Sequence, residues 1–232
     1  MRIWRRATGP GYALAILLCG IGSAGANTYP AMAAIAQYRI ANPAGEIALA
    51  RSAAPVSISG DAGVMILGNH GYEMAAPSKN GFVCIVERSW GASFDDPVFW
   101  NPRIRGPICF NPASVRSVLP FYLEKTRWVL AGVSKPDMIA RVRAELAAKT
   151  FVFPEPGAMC FMLSKQGYLS DTGGHWHPHL MFFAGNTDAA AWGANLAGSP
   201  VLAGTDTPDP VTTFFVPVTK WSDGTPAVMQ MH

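Results

Sequence analysis

One block of helical periodicity, flanked on both sides by short apolar strand segments, most constrains the fold of this chain. Between residues 112 and 149, apolar side chains recur at the spacing of amphipathic helices. On either side of that block, short apolar runs alternate with Gly- and Pro-rich loops, a pattern that favours strands. Strands, then helices, then strands again predict an α+β fold with a mostly antiparallel sheet and a helical layer.

Start and stop signals place the helices within this pattern. Residues 31–41 are rich in alanine, and Asn42-Pro43 has the form of an N-cap followed by a first helical residue, so the first helical region is expected at about 31–53. In the second region, 112–149, Pro120 divides a short helix from a longer one. Ser134, followed three residues later by Asp137, resembles a capping box and predicts the start of a further helix.

A tight turn is indicated between two strand candidates. The segments 72–76 and 82–88 flank a short polar stretch that contains Asn80-Gly81. Asn-Gly is the dipeptide that two-residue hairpin turns favour. We therefore expect these two segments to pair with each other as a hairpin.

The first 26 residues have the features of an export signal. Three arginines precede an apolar run from Tyr12 to Ile21, and Ala24-Gly25-Ala26 matches a cleavage motif. The apolar run is shorter than the ~20 residues that a membrane-spanning helix needs. We therefore expect a signal peptide at 1–26, a single α+β domain at 27–232, no stable membrane insertion after cleavage, and a periplasmic or extracellular location.

Removal of this leader changes what the charge implies. The chain has 18 Lys and Arg against 15 Asp and Glu. The three excess positive charges all lie in the leader, so the remaining chain carries 15 of each sign and is formally neutral. The basic balance of the full chain is therefore no sign of nucleic-acid binding, and we expect no nucleic-acid partner.

Three cysteines remain after cleavage. Cys84 and Cys109 each lie in a short apolar segment with the pattern of a strand, and an oxidising compartment favours a bridge between them. We expect a Cys84–Cys109 disulfide, with Cys160 unpaired. The alternative is that all three are buried thiols that pack as small apolar side chains.

Three of the five histidines lie within five residues: His175, His177 and His179. On a strand these alternate positions face one side, and a neighbouring pair has Cα atoms ~6.6 Å apart, close enough to chelate one ion. The cluster predicts a site for zinc or another divalent transition metal. Further ligands would come from a set that the sequence does not narrow: His70, Glu73, Glu87, Asp171 and Cys160. The alternative is a histidine-rich turn with a structural role.

Methionines offer a second reading of the same region. Met159, Met162 and Met181 lie close to Cys160 and to the histidine segment. Thioether and thiolate ligands favour copper in its reduced state, whereas methionines in many proteins simply fill gaps in the core.

Four segments resemble a group of uncharacterised secreted bacterial proteins: Glu46 to Ala54, Asn80 to Cys84, Lys165 to Asp171, and the stretch GHWHPHLMFF at 174–183. The similarity extends over most of the chain after the leader. No activity is known for the group, so the resemblance implies export and a bacterial source and assigns no site residue.

The sequence thus leaves three classes of function open. The first is a metal-assisted hydrolase or cupin-like enzyme centred on the histidine cluster. The second is a non-catalytic periplasmic binding module for copper, zinc or a small apolar ligand, and the third is a structural protein without a metal. An enzyme requires the histidines at the floor of a pocket with an acid–base group nearby, which the fold can decide. The sequence gives no indication of the oligomeric state.

Overall fold

The computed structural model describes residues 29–171, 177–205, 208 and 211–227, so the predicted leader lies outside the described residues. The strands are β1 (Gly63–Leu67), β2 (Tyr72–Ala76), β3 (Val83–Glu87), β4 (Gly106–Phe110), β5 (Met159–Met162), β6 (His179–Gly185), β7 (Leu202–Thr205) and β8 (Val211–Pro217). The α-helices are α1 (Pro43–Arg51), α2 (Val56–Ser59), α3 (Pro112–Ser117), α4 (Leu119–Leu130) and α5 (Lys135–Ala147).

All eight strands belong to one sheet, in the order β2-β1-β3-β4-β5-β6-β8-β7. Neighbouring strands are antiparallel except β1 and β3, which are parallel. The predicted α+β class with a mostly antiparallel sheet is confirmed. No helix in the described part of the chain has the length and apolar character needed to cross a bilayer.

The helical block at 112–149 forms at the positions that its signals predict. Asn111 caps α3, and its side-chain oxygen accepts a hydrogen bond from the backbone N–H of Ser114. Ser134 caps α5 in the same way by accepting from the backbone N–H of Asp137. Both caps satisfy N–H groups that a helix leaves unpaired at its start.

The first helical region is shorter than predicted. The chain begins α1 at Pro43, with Asn42 as its cap, but the alanine-rich stretch before it contains only a 3₁₀ turn from Ile35 to Tyr38. Tyr38 is fully buried, its hydroxyl donates to the carbonyl of Trp100 at 2.8 Å, and its own carbonyl accepts from Arg88. These tertiary contacts hold the segment against the sheet and override the helix propensity of alanine.

The expected hairpin between 72–76 and 82–88 is wrong. Asn80-Gly81 does form a turn, with a positive φ of 80° at Gly81, but β2 pairs with β1 and β1 lies between β2 and β3. The reason is burial: β3 is buried over its first four residues, whereas the middle of β2 is exposed. Placing the fully apolar start of β3 inside the sheet and β2, with its smaller side chains and Glu73, at the edge buries more apolar surface than a local hairpin would.

The two faces of the sheet carry separate cores. On one face, α1 covers the central strands, and Cys84 and Cys109, which are direct register partners on β3 and β4, form a disulfide there. This is the pairing that the sequence favours, and Cys160 is a buried free thiol. On the other face, α4 and α5 pack on the alternate side chains of the same strands, including Ile85 and Ile108.

A buried ion pair ties the N-terminal segment and α1 to the sheet. Arg88 donates to a carboxyl oxygen of Glu46 at 2.8 Å, and both side chains are almost completely excluded from solvent. The Arg88 guanidinium also donates to the carbonyls of Tyr38 and Val86. Glu46 accepts in addition from the backbone N–H of Leu67, so neither charge lacks hydrogen-bond partners.

Neutralising one half of this pair should strongly destabilise the fold. In Glu46→Gln the guanidinium of Arg88 stays buried without its counter-ion, a change that costs about 3–5 kcal/mol in comparable proteins. Urea unfolding followed by circular dichroism measures the difference. The exposed pair between Glu124 and Arg127 supplies the matched control, since Glu124→Gln should change the unfolding free energy by at most about 0.5 kcal/mol. If Glu46→Gln and Glu124→Gln lowered the unfolding free energy equally, the stabilising role assigned to the buried ion pair would be contradicted.

Candidate functional site

A cavity of about 330 Å³ lies between the sheet face and the roof formed by α4 and the 89–104 loop. Its floor comes from β3, β5, β6 and β8, and its walls combine apolar side chains with a few polar ones. The polar residues that line it are Glu87, Arg88, Ser89, Ser93, Asp96, Tyr122, His179 and Thr213, and the apolar ones include Val98, Ile104, Met162, Leu169, Met181 and Phe215. This size and mixture are typical of small-molecule sites.

Glu87 occupies one end of the cavity. It is the last residue of β3, and the alternation of the strand turns it to the same face as Ile85. Two glycines make room for its carboxyl group. A Cβ atom at Gly91 would come within 2.7 Å of Oε2, and one at Gly106 within 2.8 Å of Oε1. A larger residue at either position would press on the carboxyl group, so the backbone is shaped around it.

The surroundings of Glu87 favour its neutral form. The side chain is half-buried, and among the described residues no hydrogen bond or ion pair satisfies its carboxyl group. Burial raises the pKa of Glu87 to about 8, against a smaller opposing influence from the positive charge of Lys125. At neutral pH Glu87 is therefore largely a carboxylic acid, which can donate a hydrogen bond or a proton.

His179 lies at the other end. It is the first residue of β6 and is only 2% exposed. Its Nδ1 lies 2.7 Å from the carbonyl oxygen of His177, and a carbonyl can only accept, so Nδ1 carries the hydrogen. Burial lowers the pKa of His179, which favours the neutral ring. In that tautomer Nε2 holds the lone pair and can accept a proton or bind a metal ion.

The two titratable groups are too far apart to act as a direct pair. Glu87 is on β3 and His179 is on β6, three positions along in the sheet. At a spacing of ~4.8 Å between neighbouring strands, their backbones are about 14 Å apart. A molecule that fills the cavity would therefore meet a hydrogen-bond donor at one end and an imidazole acceptor at the other.

Two lysines hold the roof in place, the buried Lys125 and the partly exposed Lys135. Lys125 on α4 donates to the carbonyl of Ala92 at 2.8 Å and lies 4.1 Å from the ring centre of Phe94. Lys135 at the start of α5 donates to the carbonyl of Phe94 and lies 4.3 Å from the ring centre of Phe99. These charge-assisted hydrogen bonds and cation–π contacts fix a loop that has little regular structure of its own.

The structure brings only part of the predicted histidine cluster to the cavity. His179 lines it, whereas His177 precedes the strand and contributes its backbone carbonyl, and His175 lies outside the described residues. Pro178 immediately precedes β6, where its missing N–H costs no ladder hydrogen bond. Within the described part of the chain, no group of three or more His, Cys, Asp or Glu side chains is placed to hold a metal ion.

The further ligands that the sequence offered are dispersed. Glu87 lines the cavity, Cys160 is buried on β5 beneath it, and His70 and Glu73 are exposed around the β1–β2 turn. Asp171 accepts from the hydroxyls of Tyr29 and Tyr168, from the amide of Asn101 and from Arg103. These contacts anchor the loop that leads into the histidine segment. In the described structure, the role of Asp171 is therefore to position this loop.

Sequence reasoning missed the glycines that accommodate Glu87 and singled out Glu87 only as one ligand candidate among several. The available signal was the acid directly after the apolar run Val-Cys-Ile-Val, which placed Glu87 at the end of a buried strand. Gly91 and Gly106 could not be recognised, because their contacts with the carboxyl group arise only from the tertiary fold.

Glu87 should make the stability of the protein depend on pH. The folded state keeps its proton to about pH 8, whereas an unfolded chain releases it near 4.5, so the unfolding free energy should fall as pH rises through this interval. The lowered pKa of His179 acts in the opposite direction as pH rises through its unfolded value of 6.5. Urea unfolding at pH 6.5 and pH 8 is therefore compared between wild type and a Glu87 variant, in which the contribution of His179 is the same.

In Glu87→Gln the fall in stability between pH 6.5 and pH 8 should disappear, because glutamine does not titrate. Glu73→Gln, at an exposed position on β2, should keep the wild-type fall. A Glu87→Gln protein with the same pH dependence as wild type would show that the carboxyl is already ionised in the folded state.

Comparison of the chain with protein-family models, with curated proteins and with solved structures gave no match. Function is therefore inferred from the side chains of the cavity and from the disulfide.

Proposed function

We propose that this protein is exported to the periplasm or the extracellular space. The Cys84–Cys109 disulfide supports this location, since such bonds persist in oxidising compartments and are rare in reducing ones. The charged, apolar and small-residue order of the leader supports it independently. N-terminal sequencing of the native protein should begin at Asn27, and a retained Met1 would contradict cleavage.

We further propose that the cavity binds a small organic molecule with an apolar body and an oxygen acceptor at one end. One observation carries this proposal: the carboxyl of Glu87, held between two glycines, faces the cavity without a described hydrogen-bond partner. An unsatisfied buried polar group costs stability, and a ligand that accepts its hydrogen bond removes that cost.

The lining determines the chemistry of the ligand. Near neutral pH the acidic end donates a hydrogen bond, which suits a carbonyl, ether or carboxylate oxygen, and the thioether and aromatic walls suit an apolar body. At the far end, His179 accepts a hydrogen bond or a proton from a hydroxyl or amine. The same pair of groups could act on a bound substrate as a general acid and a general base, so the proposal covers an enzyme as well as a carrier.

Ligand binding should depend on the proton of Glu87. Amphipathic carboxylic acids and ketones are screened by thermal shift, and those that raise the melting temperature at pH 6.5 should do so less at pH 9, where the carboxyl group is ionised. Glu87→Gln, which keeps an N–H donor in place, should bind at both pH values. Glu87→Leu removes the donor and should weaken binding by about 0.5–1.5 kcal/mol for a ketone and by about 1.5–3 kcal/mol for a carboxylate, because a hydrogen bond to a charged acceptor is the stronger one.

Glu73→Gln, at an exposed position away from the cavity, again serves as the control and should bind the ligand as wild type does. If Glu87→Leu binds the same compounds as tightly as wild type, the molecule lies elsewhere and the cavity proposal fails.

A divalent-metal site at the histidine cluster is the second candidate, with His175, His177 and His179 as its ligands and zinc or another divalent transition metal as its ion. The observation in its favour is the orientation of His179, whose Nδ1 hydrogen is donated to a carbonyl, as in most metal-binding histidines. This site would support a metal-assisted hydrolase or cupin-like enzyme, or a zinc-binding module.

His177→Ala should test this candidate directly. His177 belongs to either neighbouring pair of the cluster, so its loss should lower the zinc content of the untagged native protein, measured by elemental analysis after equilibration with excess zinc and desalting. His70→Ala, at an exposed turn, is the matched control. Equal zinc content in both variants and in the wild type would rule the divalent site out.

A further inference from the structure

Four residues with soft ligand atoms lie on one face of two neighbouring strands. In the β5–β6 register, Met162 is directly opposite His179, and Cys160 is directly opposite Met181. Alternation along each strand turns all four side chains to the face covered by α4. Met159 and Phe161, on the same strand, point to the opposite face, where Phe161 packs against the core under α1.

Three of these four side chains also line the cavity, and all three are at least nine-tenths buried. Met162 is 7% exposed, Met181 is 6% exposed and His179 is 2% exposed. Directly opposed residues have Cβ atoms ~5 Å apart, and diagonal neighbours such as Met162 and Met181 are ~7–8 Å apart. Methionine is unbranched and has three rotatable bonds, so both thioethers can approach an ion held by the imidazole.

We propose that His179, Met162 and Met181 form a binding site for monovalent copper, Cu(I), at the end of the cavity opposite Glu87. This inference rests on the proposed function in one respect, which is that the cavity is a binding site. Its ligands differ from those of the divalent-metal candidate, which uses His175, His177 and His179. The histidine binds through Nε2, because its Nδ1 hydrogen is engaged with the His177 carbonyl. The two methionines bind through their Sδ atoms.

The charge of the site selects the ion. Thioether sulfur and imidazole nitrogen are soft, neutral ligands, which favour Cu(I) over zinc or magnesium. A buried site without an anionic ligand also carries a smaller desolvation cost for a monovalent cation than for a divalent one. Glu87, about 14 Å away across three strands, is outside the coordination sphere. Cys160 does not line the cavity, so its thiol is left out of the ligand set.

Competition for Cu(I) tests the site. The untagged native protein is titrated anaerobically, with ascorbate as reductant, against the chromophoric Cu(I) chelator bathocuproine disulfonate. Met162→Leu and Met181→Leu should each weaken Cu(I) binding at least about 10-fold. Loss of a residue that only supports a metal ligand already lowers metal affinity by about 10-fold or more, and loss of a ligand should cost at least as much. Leucine conserves the volume of methionine, and a melting curve without copper checks that each variant is folded.

Matched variants identify the ligands. Met159 is on the same strand but points to the other face, so Met159→Leu should leave the Cu(I) affinity unchanged. Cys160→Ala and the double variant Met229→Leu/Met231→Leu should also bind as wild type. X-ray absorption at the copper edge should show sulfur scatterers in wild type and fewer of them in Met162→Leu.

Two results would overturn the proposal. One is wild-type affinity in both Met162→Leu and Met181→Leu, and the other is loss of binding in Cys160→Ala or in the C-terminal variant alone. The outcome is separable from the other proposals, because Glu87→Leu should lose the organic ligand and keep Cu(I). His177→Ala, which retains the backbone carbonyl that orients His179, should also keep Cu(I).

Discussion

The ion pair between Arg88 and Glu46 is the interaction on which the rest of this structure depends. Arg88 directly follows β3, the strand that carries both the disulfide and Glu87, and its guanidinium reaches the N-terminal segment, α1 and the backbone of β3 itself. A charge of this kind is stable inside the protein only when all its donors are satisfied, so the elements that satisfy them are held in one arrangement. Glu87, the residue before Arg88, ends β3 on the face covered by α4, so the strand that Arg88 holds in place also carries Glu87.

The central strands show how this constraint reaches the cavity. β3 and β4 are joined by the Cys84–Cys109 disulfide on one face, and on the other face Gly106 lies directly opposite Glu87 in the register. The absence of a side chain at Gly106 leaves the space that the carboxyl occupies. The roof is fixed from the opposite direction by Lys125 and Lys135, whose cations bind the carbonyls and rings of a loop with little regular structure. The cavity therefore has a rigid floor and a tethered roof.

Local patterns predicted the elements well and their partners poorly, and particular residues show why. The caps at Asn42, Asn111 and Ser134 are local interactions within one turn, so the sequence alone placed the start of α1 and α5. The Asn80-Gly81 turn also forms, but which strand lies beside β3 is decided by total burial across the sheet, to which a dipeptide contributes little. β7 escaped notice because it is a short edge strand, Leu-Ala-Gly-Thr, with no apolar alternation. The histidine spacing drew attention to β6, yet the partners of His179 in the cavity come from β5 and β3, far away in sequence.

The cavity joins two ends of opposite chemical character, and this contrast explains why it is not simply filled. A well-packed core would place leucine or phenylalanine at position 87 and close the space with side chains at positions 91 and 106. Instead the chain keeps an acid that lacks a described partner, beside two glycines that leave space for it and two buried methionines. When several residues that lower the stability of the fold line the same cavity, a role in binding or catalysis is expected to account for them. We therefore propose that the donor at Glu87 and the soft ligands around His179 are the two ends of one binding site.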